Sequence, residues 1–201
     1  GSGKSTLLRI ISGLVKPDSG NFDYNGSNDF TKSFVSQKPS LLPWLNIHEN
    51  IAYGLKLKEV SQEEVDIITN DFLRITQLFD FSKSLPQDLS GGMQQRAALA
   101  TALATKPDVL IMDEPLSALD TQTKSQIRDF VRDLLVDQNQ TSILVTHDPE
   151  EAIFLADRIV ILSPKPARVI DIIEVPFKKK RQRSIIYTDK FQDLKKYIEY
   201  I

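Results

Sequence analysis

The sequence of 201 residues has no cysteine, only two histidines and one tryptophan, and almost no net charge. Without cysteine, neither a disulfide framework nor a thiolate metal site can form within these residues. The 25 basic and 27 acidic side chains give a formal net charge of −2, which disfavours general attraction to nucleic acid. No apolar run approaches the roughly 20 residues of a membrane-spanning helix. A hydrophobic content of 41% is typical of a globular domain with an ordinary core.

A glycine pair precedes a strongly helix-favouring stretch in the segment Leu89–Arg96. Ser90 is a favourable N-cap, and Gly91 and Gly92 leave the first helical turn without side chains. A helix N-terminus of this kind exposes backbone N–H groups and a partial positive charge, which suit a phosphate. Taken alone, the segment is more typical of an ordinary capped helix start.

The residues Gly1–Thr6 match the end of the phosphate-binding pattern Gly, four residues, Gly-Lys-Ser/Thr. Backbone N–H groups of such a loop surround phosphate oxygens, Lys4 reaches the β- and γ-phosphates, and the Ser5 hydroxyl binds Mg²⁺. Because Gly3 is the second glycine of the pattern, we expect the first glycine, and the strand that leads into the loop, to precede this fragment. A flexible glycine–serine tag is the alternative, but an amphipathic helical pattern follows the lysine directly.

Two apolar runs end in polar residues that could carry chemistry. Val109–Met112 leads into Asp113 and Glu114, and Thr141–Thr146 leads into His147. Runs that are apolar on both faces predict buried strands of a parallel sheet, whose carboxyl ends are where such sheets bind ligands. An acidic turn after a strand is common and a single histidine is more often structural, so these residues need further support. That support is the much rarer continuation Pro-Leu-Ser-Ala-Leu-Asp after the acidic pair.

Together these motifs resemble those of ATP-binding cassette (ABC) ATPases, over nearly the whole chain. The string Leu-Ser-Gly-Gly-x-x-Gln-Arg is similar to the family's signature motif, and Asp113–Asp120 is similar to its Walker B motif and D-loop. Gln37 and His147 stand where the family has its Q-loop and H-loop. The resemblance implies an α/β fold of the P-loop NTPase type, a mostly parallel core sheet flanked by helices, with the N-terminal strands missing. It implies one ABC ATPase domain over 1–201, with a helical subdomain at about 41–107.

The resemblance also implies roles for individual residues. Glu114 would orient or deprotonate the attacking water, His147 would contact the γ-phosphate, and Gln37 would contact Mg²⁺ or the water. Mg²⁺ would be held by Ser5, by Gln37 and, through water, by Asp113. Two chains would pack head to tail, with ATP between the phosphate loop of one chain and the signature of the other. The residues expected to bind ATP are Gly1, Ser2, Gly3, Lys4, Ser5, Thr6, Ser90, Gly91, Gly92, Gln94 and Asp120.

The implied activity is ATP hydrolysis coupled to transport, with ATP and Mg²⁺ as cofactors. A free-standing cassette that ends in a short helix resembles an importer subunit, and Leu41–Ile47 with Glu49–Ile51 is similar to the nitrate/sulfonate/taurine branch. The partners would be a second ATPase chain, permease subunits contacted through Gln37–Gly54, and a solute-binding protein, with no nucleic acid. The expected location is the cytoplasmic face of the cell membrane, as a peripheral subunit.

Two other functional classes remain open from the sequence. One is a soluble ABC protein acting on DNA or ribosomes, although such chains usually carry two cassettes or a long coiled coil. The other is a non-catalytic remnant that only scaffolds.

Local patterns predict the remaining elements. Asn46 or His48 is the expected cap of a helix over Glu49–Leu55, and Ser61 opens a capping box for the next helix. A basic run, Lys178–Arg183, predicts a solvated loop, with contact to anionic lipid as the functional alternative. The other expected elements are a C-capping Gly13, short strands at Gly20–Gly26 and Ser33–Gln37, strands at Arg158–Leu162 and Arg168–Val175, and a final amphipathic helix at Asp189–Ile201.

Overall fold

The computed structural model describes residues 3–21, 30–58, 60–137 and 140–201, which contain both helices and strands. The α-helices are α1 Lys4–Ile11, α2 Ile47–Leu57, α3 Gln62–Ile75, α4 Gly91–Ala104, α5 Thr121–Asp137, α6 Pro149–Leu155 and α7 Asp189–Tyr200. The strands are β1 Lys32–Val35, β2 Val109–Asp113, β3 Thr141–Val145, β4 Arg158–Leu162 and β5 Val169–Glu174. Short 3₁₀ helices lie at Phe79–Phe81, Pro86–Asp88 and Arg183–Tyr187. The strand expected at Gly20–Gly26 falls mostly outside the described residues.

A parallel sheet with the order β1-β2-β3 forms the centre of the fold. Val35 of β1 pairs with Met112 of β2, and Met112 pairs in turn with Leu144 of β3. Because all three strands run in the same direction, their carboxyl ends lie at one edge of the sheet. This arrangement confirms the α/β fold with a parallel core sheet.

Burial differs sharply between the two apolar strands that the sequence predicts to be buried. All five residues of β2 are buried, as expected for a central strand. β3 is only partly buried along its length, so the prediction of a second buried strand is not met. Among the described residues β3 pairs with β2 alone, and its other side borders a groove of about 870 Å³ that Lys4, Leu7 and Val160 also line.

Beyond that groove, β4 and β5 form an antiparallel hairpin. α7 packs against it and buries Phe191 together with Ile153, Ile159 and Val175 in a core of their own. The two strands and the helix lie close to their predicted positions. Tyr197 on α7 is half-exposed and donates its hydroxyl to Asp171.

The helices between β1 and β2 pack mainly on one another, with α2 against α3 and α4. Asn46 caps α2 in a full capping box, because its Oδ1 accepts from Glu49 N at 2.8 Å and Glu49 Oε2 accepts from Asn46 N at 2.9 Å. His48 is therefore not the cap. At Ser61 one half of the expected box is present, with Ser61 Oγ accepting from Glu64 N at 3.3 Å. These helices fall within 41–107, whose bounds as a subdomain stay a prediction.

The basic run contains a buried residue, which corrects the prediction of a solvated loop. Arg181 is only 6% exposed and donates from Nη1 to the carbonyls of Ile153, Phe154 and Ala156 at 2.7–2.9 Å. Burial, with the repulsion of Arg132, lowers the pKa of Arg181 to about 10, so it stays charged at neutral pH. The guanidinium therefore binds the carboxyl end of α6, where a cation is favoured.

Candidate functional site

The carboxyl edge of the parallel sheet gathers the polar residues that follow the three strands. Gln37 lies two residues after β1, Asp113 ends β2 and Glu114 follows it, and His147 lies two residues after β3. Lys4, at the start of α1, lines the groove with Val145 and Thr146 at the end of β3. Residues far apart in sequence therefore meet because parallel strands end at the same edge.

Glu114 is the centre of this group. Its Oε2 accepts a hydrogen bond from Gln37 Nε2 at 3.2 Å and lies 3.3 Å from His147 Nδ1. The Glu114 side chain is 21% exposed, whereas that of His147 is 69% exposed. One carboxylate oxygen is thus held by two neighbours, in a position that solvent still reaches.

The backbone of Glu114 is in the left-handed region, with φ 49°. For a residue with a side chain, this conformation costs on the order of 1–3 kcal/mol and occurs most often at functional sites. Two hydrogen bonds maintain it: Glu114 N donates to Val145 O at 2.8 Å, and Ser117 Oγ donates to Glu114 O at 2.9 Å. The strained turn directs the chain away from β2 immediately after Asp113.

The turn that carries His147 is held on both sides of the histidine. Thr146 Oγ1 accepts from Asp148 N at 3.0 Å, and Asp148 Oδ1 caps α6 by accepting from Glu150 N at 2.9 Å and Glu151 N at 3.4 Å. Burial raises the pKa of Asp148, but the hydrogen bond and charge of Lys124 outweigh it and leave the pKa below its usual value. Asp148 is therefore an anion that fixes the start of α6.

The start of α1 directly follows a glycine in a left-handed conformation. Gly3 precedes the helix with φ 90°, a conformation that glycine adopts without strain. Leu8 packs beneath the sheet against Val109 and Ile111, whereas Leu7 is half-exposed rather than part of the core. Gly13, with φ 82°, directly follows the observed C-cap Ser12. Gly1 and Ser2 lie outside the described residues.

Asp113 and Ser5, two of the residues expected to bind Mg²⁺, lie at the end of β2 and at the start of α1. Asp113 is 4% exposed at the end of β2, and the Ser5 hydroxyl lies in the first turn of α1. A hydroxyl, an amide oxygen and a carboxylate are hard ligands of the kind Mg²⁺ binds together with phosphate and water. Within residues 3–21, 30–58, 60–137 and 140–201, no three His, Asp or Glu side chains form a metal cluster. The role of Ser5, Gln37 and Asp113 toward Mg²⁺ stays a prediction.

The segment of the signature motif forms the start of α4. Ser90 Oγ accepts from Met93 N at 3.3 Å, as the sequence predicts for an N-cap. Gly92 lies against the backbone of the D-loop, since a Cβ at this position would be 3.2 Å from Ala118 O. Both Ser90 and Gly91 are exposed, which leaves the helix N-terminus open to a ligand.

Two residues expected to bind ATP make contacts within their own chain instead. Gln94 Nε2 donates to the carbonyls of Pro86 and Leu89 at 3.0 and 3.1 Å. Asp120 Oδ1 accepts from Thr123 N at 3.0 Å and so caps α5, and this hydrogen bonding lowers the pKa of Asp120. Their role toward nucleotide stays a prediction.

Sequence reasoning missed three residues beside His147. Lys124, Thr146 and Glu151 form a network of ion pairs and hydrogen bonds behind the histidine turn. Glu151 is 2% exposed, and burial raises its pKa above the usual value. The sequence around Glu151, in the first turn of α6, gives no sign that its side chain is buried. Lys124, one turn after the D-loop, was the one signal that could have suggested an ion-pair partner for an acidic residue.

Comparisons with known proteins give a matching family and several relatives. The family model described as ABC transporter matches residues 1–117. The nitrate import ATP-binding protein of Synechocystis sp. is 42% identical over 84% of this chain and 65% of its own length. The taurine import ATP-binding protein of Roseobacter denitrificans is 39% identical over 88% and 68%. The aliphatic sulfonates import ATP-binding protein of Bacillus licheniformis is 38% identical over 98% and 78%.

Among solved structures, the dimeric post-hydrolysis state of the ATP-binding cassette MJ0796, bound to ADP and Pi, is similar with a TM-score of 0.76. It is 33% identical, and the match covers 88% of this chain and 82% of that one. The chain thus spans 65–78% of the length of the three curated relatives above. None of the described helices is long and apolar enough to cross a membrane. On the strength of the family match and these relatives, the chain belongs to the ABC transporter family.

Proposed function

We propose that this chain is the ATP-binding and ATP-hydrolysing subunit of an ABC importer. The observation that carries the proposal is the convergence of Gln37 and His147 on one oxygen of Glu114, at 3.2 and 3.3 Å. A carboxylate oriented by an amide and an imidazole, at a sheet edge beside a lysine-bearing helix start, suits phosphoryl transfer to water. The relatives' names, all import ATP-binding proteins, give no support to a DNA- or ribosome-bound protein.

The residues divide the chemistry between them. Lys4 and the N–H groups at the start of α1 bind the phosphates, and Glu114 orients the attacking water or takes its proton. The His147 imidazole is exposed enough to reach the γ-phosphate while remaining next to Glu114. Ser5, Gln37 and, through water, Asp113 would hold Mg²⁺, which would supply charge that stabilises the transferring phosphoryl group.

The open start of α4 supports a dimer in which each site is shared. Ser90 and Gly91 are exposed, and their N–H groups suit a phosphate that another chain holds. Two chains packed head to tail would then form two ATP sites between a phosphate loop and a signature. That the similar cassette structure is dimeric and holds ADP and Pi supports this arrangement.

An exposed apolar surface on the helical region supports contact with a permease. Trp44 is 72% exposed, and Tyr53 and Leu57 on α2 are 47% and 70% exposed. This surface lies within and directly beside the predicted contact region Gln37–Gly54. We propose that permease subunits bind here at the cytoplasmic face of the membrane, that a solute-binding protein completes the importer, and that the solute is a small anion or zwitterion such as nitrate, a sulfonate or taurine.

The substitution Glu114→Gln tests the proposed activity in the intact protein. The amide keeps the shape but cannot take a proton, so we expect hydrolysis to fall on the order of 10²-fold or more. The affinity for ATP should change less than twofold, because the phosphate-binding residues are intact. Glu199→Gln, which changes an exposed carboxylate on α7, is the matched control and should retain the parental rate. Hydrolysis by Glu114→Gln within a few-fold of the parent would contradict the proposal.

A further inference from the structure

An ion-pair network joins the first turn of α5 to the turn that carries His147. Lys124 Nζ lies 2.6 Å from Asp148 Oδ2 and 3.5 Å from Glu151 Oε2. Thr146 Oγ1 donates to Glu151 Oε2 at 3.1 Å and accepts from Asp148 N at 3.0 Å. The residues on both sides of the histidine are therefore tied to one ammonium group.

Lys124 also lies four residues after the Leu116–Asp120 segment, which contacts the signature motif. Asp120 caps α5 through Thr123 N, and Lys124 N donates to Asp120 O at 2.7 Å. The carbonyl of Ala118, two residues before the cap, lies against Gly92 at the start of α4. A movement of the Leu116–Asp120 segment would therefore move the start of α5 and, with it, the lysine.

The burial of Glu151 makes the lysine hard to replace. The Glu151 side chain is 3% exposed, and its Oε1 has no hydrogen-bond partner among the described residues. Lys124, 24% exposed, is the nearby cation that neutralises it. Without that charge, a buried carboxylate with a single hydroxyl donor is unfavourable, and the Thr146–Asp148 turn loses the group that holds it in place.

We propose that Lys124 is a positioning residue for His147, and that it couples the Leu116–Asp120 segment to the histidine. This inference rests on the proposed ATPase function. Lys124 acts through the Asp148 and Glu151 carboxylates, which set the turn that brings His147 Nδ1 to 3.3 Å from Glu114 Oε2. A change in the contact between the signature motif and the Leu116–Asp120 segment can thereby change the position of the His147 imidazole, which is proposed to meet the γ-phosphate.

A simpler role for Lys124 would be to tie α5 to α6 for stability, and the chain offers a matched control for it. One turn further along α5, Arg128 Nη1 lies 2.7 Å from Glu150 Oε1 and so joins the same two helices. Arg128 is more buried than Lys124 and also stacks over the Phe154 ring at 4.4 Å. It makes a comparable helix–helix contact through the Glu150 carboxylate rather than through Asp148 or Glu151.

The test compares kcat and KM for ATP in the intact protein carrying Lys124→Met, Lys124→Arg or Arg128→Met. We expect Lys124→Met to lower kcat about tenfold with KM changed less than twofold, and Lys124→Arg to restore kcat to within threefold of the parent. Arg128→Met should lower the melting temperature at least as much as Lys124→Met but keep kcat within twofold. Equal kcat losses in Lys124→Met and Arg128→Met, or an unchanged kcat in Lys124→Met, would overturn the inference.

Should Lys124→Met not fold, Asp148→Asn gives the same test. Asparagine retains the capping oxygen for α6 and loses the charge that pairs with Lys124. It should lower kcat by a similar factor, and a parental kcat would overturn the inference.

The dependence on His147 separates this inference from the proposed function. His147→Ala alone should lower kcat strongly, and adding Lys124→Met to it should lower kcat less than twofold further, because the lysine acts through the histidine. A full additional tenfold loss would mean that Lys124 acts elsewhere. If Glu114→Gln and His147→Ala hydrolyse ATP like the parent, the proposed function fails. If those two are inactive and Lys124→Met is not impaired, only the inference about Lys124 fails.

Discussion

Removing the buried guanidinium of Arg181 should destabilise the fold more than any other change in the basic run. Arg181→Met retains an apolar stem of similar length but leaves three carbonyls at the end of α6, those of Ile153, Phe154 and Ala156, without this donor. A buried unsatisfied group costs about 1–3 kcal/mol. We take the low end, because removing the cation also removes its own burial cost, which is evident in the pKa of about 10.

The expected loss is thus about 3 kcal/mol in the free energy of unfolding, three carbonyls at about 1 kcal/mol each. For a chain of this size it corresponds to a melting temperature lower by roughly 6–12 °C. Urea denaturation followed by circular dichroism measures the free energy directly. Lys180→Met, at an exposed position of the same run, is the control and should change stability by less than about 0.5 kcal/mol. If the two variants differ by less than 1 kcal/mol, roughly the cost of one unsatisfied group, Arg181 does not anchor α6.

Two further substitutions test the packing of the helices and the phosphate loop. Gly54→Ala should lose about 1–3 kcal/mol of stability, because its Cβ would lie 2.4 Å from Thr105 Cγ2. Adding Thr105→Ser, which deletes that methyl group, should restore most of the loss, and no recovery would refute the clash. Lys4→Ala should weaken binding of a non-hydrolysable ATP analogue about tenfold or more, since it removes a charge-assisted contact to phosphate. Lys16→Ala, exposed in the following turn, should bind like the parent, and an equal dissociation constant in both variants would contradict a phosphate site at Lys4.

Local sequence signals predicted the elements that depend on local physics. The N-cap role of Ser90 follows from its hydroxyl and the helix-favouring residues after it, and the structure confirms it. The unbroken apolar run Val109–Met112 predicted a fully buried strand, which β2 is. β3 is less buried than its apolar composition predicts, because among the described residues it has a paired strand on one side only.

Tertiary partners explain what the sequence did not predict at the site. Lys124 and Glu151 are 27 residues apart, and the sequence around neither residue predicts that the two form an ion pair. Arg181 stands among exposed lysines, so composition predicted a solvated loop although its guanidinium binds α6. The left-handed backbone of Glu114 was equally hidden, since a glutamate gives no sign of a turn that glycine would normally occupy.

Dimer formation tests most directly whether the start of α4 completes an ATP site held by another copy of the chain. Glu114→Gln blocks hydrolysis, so the intact protein with ATP and Mg²⁺ should form a dimer that light scattering can measure. Adding Ser90→Arg puts a bulky cation where the partner's γ-phosphate must meet the helix N-terminus. We expect the double variant to bind ATP as a single chain but to stay monomeric. If it forms the ATP-dependent dimer as well as Glu114→Gln alone, Leu89–Arg96 is only a capped helix start and the shared site is wrong.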